Sequence, residues 1–207
     1  MFFLCDKKNK LNIDDLGFLI GPIINAGGRL GKSMYGAELL ASDNIQIINK
    51  RSRQLIDLNN KRKKIENIIL NKINFDKIQK ENKSIIIHFE PHINEGLIGI
   101  IAARLKDYFN KPSIVITNSN NLLKGSARST NEYNIGHLIN KLLKSNIIES
   151  GGGHNLAAGF TLKKINIKIL EKFILNDYLQ KKIHLNKMNK YDAEISPSLI
   201  KKDFINE

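Results

Sequence analysis

The sequence predicts an α/β fold, a mixed sheet flanked by helices and preceded by one long connecting helix. Two patterns lead there. From Asn44 to Asn74, Ile45, Ile48, Leu55, Leu58, Ile65, Ile69 and Ile73 recur at helical spacing among Lys50, Arg51, Arg53, Lys61, Arg62, Lys63 and Lys64. That is one apolar stripe on a basic rod. From Ser84 onward, short apolar runs alternate with segments of helical period, which implies a layered sheet with at least some parallel pairing.

The first segment, to about Asn44, holds a glycine-dense stretch from Gly21 to Gly31, and a short helix is expected from Ser33 to about Ala41. Ser42 is placed to cap the long helix. About 30 helical residues at 1.5 Å each give a spacer about 45 Å long, enough to join two domains. Strands are expected at Ser84–Phe89, Ser113–Thr117, Asn121–Ser129 and Ala157–Leu162, with helices at Gly96–Phe109, Ile135–Leu143 and Ile165–Leu179. Tyr191–Ile195 reads as one more strand, with no partner in the residues that remain. The domain division that follows is 1–43, 44–80, 81–180 and 181–207. Both end segments are expected to belong to larger units: the first has no sheet of its own, and the last strand has none to join.

The 207 residues are 42% apolar and 26% charged, with a net charge of +13. That surplus favours a polyanionic partner, nucleic acid or an anionic membrane. The abundance of Lys, Asn and Ile has the look of an AT-rich genome, so much of the Lys reads equally well as solvated surface. Arginine is scarce, and its planar fork is what a phosphate recognises bidentately. One cysteine, Cys5, makes no internal disulfide and suggests a reducing compartment. The apolar start is too short for a signal peptide, and no apolar run reaches the roughly 18 residues needed to span a bilayer. A cytoplasmic location without membrane contact is expected.

Three clusters carry candidate chemistry. In Asn25-Ala26-Gly27-Gly28-Arg29, paired glycines would let backbone amides approach a ligand while Arg29 supplies a fixed cation; a tight turn with Arg29 in a structural ion pair is the alternative. In Lys124-Gly125-Ser126-Ala127-Arg128-Ser129, hydroxyls and a guanidinium suit phosphate oxygens. Strand alternation puts Ser126 and Arg128 on one face, although an ordinary polar strand end has the same composition. In Gly151-Gly152-Gly153-His154, three glycines could form an anion-binding nest, with His154 donating to a phosphate or stabilising charge developing there. A structural histidine is the plainer alternative. His88, His92, His137, His154 and His184 show no metal-ligand spacing. There is no phosphate-binding Walker loop or dinucleotide fingerprint, and no aspartate-rich cluster to hold two hydrolytic metal ions.

Together these stretches resemble the RecJ family of single-strand-specific exonucleases and, more broadly, the DHH–DHHA1 phosphoesterases. Gly21-Pro22 through Asn25-Ala26-Gly27-Gly28-Arg29-Leu30-Gly31 is similar to the family's Gly-Pro-Arg-Ile-Asn-Ala-Ala/Gly-Gly-Arg-Leu-Gly. Leu58-Asn59 and Arg62 sit where the family's connecting helix has a similar Asn and Arg. Gly96–Leu105, Gly125-Ser126-Ala127-Arg128-Ser129 and Gly152-Gly153-His154 resemble DHHA1 signatures in the right order, and Tyr191–Ile195 resembles the start of the oligonucleotide-binding barrel that follows. Ile23 stands where an Arg is usual, and Ile93-Asn94 where a Trp-His pair is common.

The resemblance implies a DHHA1-like sheet after the long helix, with a truncated barrel start at the end. It implies part of a 5′→3′ exonuclease acting on single-stranded DNA in repair and recombination. Mn²⁺ or Mg²⁺ would be held by a DHH domain whose motifs are absent here, so no metal ligand carries over. The chain would then be inactive alone, as a fragment, a decayed copy, or one half of a split gene whose partner is a separately encoded DHH half. By the same resemblance, Asn25, Arg29, Ser126, Arg128, Ser129, Gly152, Gly153 and His154 would hold nucleic acid, with His154 near the reacting phosphate as a supporting catalytic group. Two other readings remain open: an oligoribonuclease or cyclic-dinucleotide phosphodiesterase of the same superfamily, and a non-catalytic DHHA1 nucleic-acid-binding module.

Overall fold

The structure, a computed structural model, describes residues 12–181 and 194–197. A π-helical turn over Asp15–Ile20 leads into α1 (Gly21–Arg29), α2 (Ser33–Ala41), the long α3 (Ile45–Lys72) and α4 (Phe75–Glu81). There follow β1 (Ile86–Phe89), α5 (Glu95–Phe109), β2 (Ser113–Ser119), β3 (Leu122–Arg128), α6 (Ile135–Lys144), β4 (Ser150–His154), β5 (Ala157–Leu162) and α7 (Ile167–Gln180).

Asparagine sets most of these boundaries. Asn44, Asn74, Asn94 and Asn134 cap α3, α4, α5 and α6, each side-chain oxygen accepting from backbone N–H groups of the first turn. Those amides have no partner within the helix, so a cap there is worth about 1 kcal/mol. Asn44, not Ser42, is therefore the cap of α3. Asn82, Asn110, Asn120 and Asn146 have positive φ, a region asparagine tolerates better than other side chains. The helix expected over Asn44–Asn74 is α3, and the rest of the 44–80 segment is a separate helix, α4, which Asn74 starts with a side-chain bond from the Lys77 amide of 2.8 Å.

The sheet runs β1-β2-β3-β5-β4, with β1 and β2 parallel and every other pair antiparallel. One face carries Ile114, Ile116, Leu123, Phe160 and Leu162 and packs on Leu138, Ile139, Leu142, Leu170 and Ile174 of α6 and α7. The other face carries Ile86 and Val115 and packs on Leu97, Ile98, Ile101 and Leu105 of α5. Helices on both faces explain why β2 reads as a continuous apolar run. α5 covers β1 to β3, while the far end of that same face, on β5 and β4, bears only small or polar residues.

α3 differs from the expected apolar stripe. Its buried positions are Ser52, Leu55, Asn59, Arg62 and Glu66, spaced three and four apart on one face. Ile45 is 65% exposed, while Ile65, Ile69 and Ile73 join the α5 cluster. A polar ladder therefore faces inward along the middle of the rod.

Two further expectations change. Gly27 and Gly28 lie inside α1, so their amides serve helix geometry and are not offered to a ligand; only Gly31 beyond has positive φ. The Gly151–Gly153 run is strand β4, paired along its length with β5, and is not a nest. The strand expected at Tyr191–Ile195 falls largely outside the described residues, so the barrel-like end has no structural description. Among the described residues no helix is long and apolar enough to cross a membrane.

Candidate nucleic-acid interface

Ser126 and Arg128 sit two apart on β3 and share the face covered by α5. The Arg128 Nη1 donates to Ser126 Oγ at 3.2 Å and to its neighbour's carbonyl, Ala127 O, at 2.8 Å. Above them passes Gly99 of α5, where a Cβ would stand 2.9 Å from Arg128 Nη2 and 3.1 Å from Ser126 Oγ. Glycine there lets the helix lie down on the guanidinium. Burial pushes the Arg128 guanidinium below its ordinary value, although an arginine remains charged at any physiological pH.

Arg29 reaches the same place from α1. Its Nη1 donates to Gly96 O, the first turn of α5, at 3.3 Å. A Cβ on Gly96 would come within 2.3 Å of Arg29 O, so this contact too depends on glycine. The Arg29 guanidinium is pushed down by burial, then by the positive charges of Arg62 and Arg128, with Glu66 opposing. Arg29 is therefore close enough to both Arg62 and Arg128 to feel their charge.

Six arginines occur in the chain, and four of them gather here. Arg62 Nε donates to Asn59 Oδ1 at 3.1 Å, and its Nη1 to Glu66 Oε2 at 2.8 Å. The other Glu66 oxygen accepts from Arg104 Nε at 2.7 Å. Arg62, Arg104 and Glu66 were not among the expected site residues. Their signal was present in the scarcity of arginine and in the spacing of Asn59, Arg62 and Glu66, which puts three polar groups on one helix face.

Hollows lie around this cluster, two of them touching Arg29. One of about 380 Å³ runs between Gly96 and Gly99 of α5 and the open small-residue face of the sheet, Ser126, Gly159 and Thr161. A second of about 400 Å³ adjoins it through Glu95, Gly96 and Lys124 and reaches Arg29. A third of about 450 Å³ lies beyond, against α3. Lys124 lines two of these, but its ammonium is engaged by Glu95 at 2.5 Å.

His154 ends the row Arg128–Ala157–His154, in which each residue is paired with the next across neighbouring strands. Directly paired residues point to the same face, so Arg128 and His154 share one surface, two strand spacings or roughly 10 Å apart. His154 is exposed, and its Nδ1 accepts from the Leu156 amide at 3.4 Å. Gly152 lies on this face in the row Ser126–Gly159–Gly152. Gly153 points to the opposite face, where a Cβ would meet Ala158. Asn25 is exposed one turn before Arg29, on the rim of the third hollow.

Ser129 departs from the expected role. It is buried, and its hydroxyl donates to Tyr133 O at 2.6 Å while its amide donates to Leu156 O. It fixes the loop after β3 and does not face the groove.

The two departures from the family pattern in the α1 and α5 regions also have structural places. Ile23 is buried in α1, and Ile93 is buried with its carbonyl accepting from Thr117 Oγ1 at 2.8 Å. Asn94 caps α5. Among the described residues no three His, Cys, Asp or Glu side chains are grouped so as to hold a metal ion. The side chains assembled here fit anions, and they do not fit a divalent cation.

Known proteins share the sequence and fold of this region. The family model described as the DHHA1 domain matches residues 82–181. The single-stranded-DNA-specific exonuclease RecJ of Haemophilus influenzae is 34% identical over 158 residues, 72% of this chain and 28% of that protein. RecJ of Escherichia coli is 31% identical over 171 residues, 79% of this chain and 30% of that protein. This chain thus spans less than a third of the length of those relatives. The crystal structure of RecJ from Thermus thermophilus in complex with Mn²⁺ superposes with a TM-score of 0.71 at 23% identity, covering 81% of this chain and 24% of that one. Residues 82–181 are a DHHA1 domain, and over the stretch shared with those proteins the chain belongs to the RecJ family.

Proposed function

We propose that this chain is the strand-holding part of a RecJ-like exonuclease that degrades single-stranded DNA from the 5′ end, a cytoplasmic enzyme of DNA repair and recombination. The observation that carries this reading is the proximity of Arg29, Arg128 and Ser126 along the Gly96–Gly99 turn of α5. Guanidinium forks pair with phosphate oxygens through two parallel bonds, and a serine hydroxyl adds a third donor. The open face of β5 and β4, kept low by glycine and alanine, leaves room for a strand to pass. His154, on that face, donates to a phosphate from its exposed side in this reading.

Breaking the phosphodiester bond needs a group that activates water, and the described residues provide no metal site for it. In this reading Mn²⁺ or Mg²⁺ is held by a DHH-type part, in the same polypeptide or in a separate one, and the present residues bind and orient. The chain alone then binds single strands and does not cleave them when Mn²⁺ is added.

The test is a binding titration with fluorescent single strands bearing a 5′ phosphate or a 5′ hydroxyl. Affinity should fall steeply with salt, because each neutralised phosphate releases counterions. Arg128→Ala should weaken binding roughly tenfold or more, most for strands with the 5′ phosphate. Equal loss for both ends would remove the assigned role, and robust turnover by the isolated chain would overturn the division of labour.

A further inference from the structure

The hollow on the α3 side of Arg29 is not used by that reading. Among the described residues four cations line it, Arg29, Arg62, Lys63 and Arg104, and no carboxylate does. Glu66 lies beneath and has both oxygens taken, one by Arg62 and one by Arg104. Among the described residues four positive charges therefore face one negative. Arg62 is 8% exposed and still borders the cavity, where solvent screening of its charge is weak. A purely structural ion pair would be balanced, and this one is not. Its unspent guanidinium donors are complemented by an anion with several acceptor oxygens.

We infer that this hollow is a second backbone-phosphate subsite, so that a single strand is gripped at two neighbouring phosphates close to Arg29. The inference rests on the functional reading above and extends it. Arg128 and Ser126 take the terminal phosphate, while Arg62 and Arg104, oriented by Glu66, take an internal one. Pro22 and Ile100 supply apolar wall, against which a sugar or base edge can lie. Glu66 is a positioning residue: it fixes two forks that would otherwise repel, and it leaves their outer edges toward the cavity. Such a subsite reads no sequence and does not discriminate the strand end.

The test uses the full chain and oligothymidylates of one length with either 5′ end, titrated over a range of salt. Arg104→Gln removes the charge and retains an amide donor for Glu66. We expect affinity to fall roughly tenfold for both ends alike, and the slope of log affinity against log salt to decrease by about one. The preference for the 5′ phosphate should persist. Arg128→Ala should do the reverse and collapse that preference. Lys63→Gln, exposed on the rim, is the second variant and should also lower the slope; it decides the matter if Arg104→Gln does not fold. Unchanged slope and affinity in the folded variants would overturn the subsite and indicate that a protein carboxylate completes the cluster. A wild-type chain with no 5′-phosphate preference, and no effect of Arg128→Ala, would instead overturn the functional reading itself.

Discussion

Arg128 Nη2 lies 2.9 Å from where a Cβ on Gly99 would stand, so helix α5 and the guanidinium occupy one shared space. The atom in the way is the far end of a flexible side chain, and it can move. Gly99→Ala is therefore expected to leave stability within about 1 kcal/mol of the wild type, because alanine gains up to about 1 kcal/mol over glycine inside a helix and offsets the crowding. Binding should suffer more than folding, since Arg128 is displaced from Ser126. Thermal melting and the 5′-phosphate preference, measured on the same protein, check this. Unchanged preference with a full melting transition would show that Arg128 finds an equivalent position.

Much of this arrangement was legible in the sequence, and the rest was hidden for physical reasons. Period-two alternation placed Ser126 and Arg128 on one face, and the apolar runs located β2 and β5. What alternation cannot give is strand order, so the row Arg128–Ala157–His154 emerges only from the fold. The glycine clusters misled because glycine serves two ends. In Gly27 and Gly151 it permits close packing within regular elements, not an unusual backbone. The polar ladder of α3 was masked by isoleucines that satisfy the same helical period on a neighbouring face. The resemblance marked Asn59 and Arg62, but their link through Glu66 to Arg104 emerges only when α5 is laid across α3.

The three consecutive glycines of β4 are expected to respond differently to alanine. At Gly151 a Cβ would stand 2.8 Å from Ile139 Cγ2 and 3.0 Å from Phe160 Cβ, inside the α6 core. Overpacking of that kind costs about 1–3 kcal/mol. At Gly152 nothing lies within 4 Å, because the position faces the open groove. Gly152→Ala should therefore fold as well as the wild type and, if strands pass over this face, bind single-stranded DNA less tightly. Denaturant unfolding separates the two variants. A Gly151→Ala protein as stable as Gly152→Ala would contradict the assignment of β4 faces.

Tyr133 and Asp177 give the fold a pH signature remote from the groove. The Tyr133 hydroxyl donates to Asp177 Oδ2 at 2.8 Å, and Lys141 holds the other carboxylate oxygen at 2.6 Å. Burial pushes the Tyr133 phenol well up, helped by the Asp177 bond and charge. For Asp177, burial pushes upward, but the bonds from Lys141 and Tyr133 and the nearby lysine charges outweigh it and hold the carboxyl below its usual range. Because the folded phenol ionises later than the unfolded one, its contribution is complete below the ordinary tyrosine value of about 10 and is lost as pH rises beyond it. The depressed carboxyl works in the opposite sense: its contribution is present above the ordinary aspartate value of about 3.9 and is lost as pH falls through the folded value. Tyr133→Phe should cost about 1 kcal/mol at neutral pH, since Asp177 keeps its two lysines. The gap between wild type and Tyr133→Phe should then narrow as pH rises past about 10, where only the wild-type unfolded chain gains by ionising this phenol. Urea unfolding of both proteins at neutral and alkaline pH measures that gap, and a constant difference would show that the Tyr133 phenol titrates alike in the folded and unfolded states.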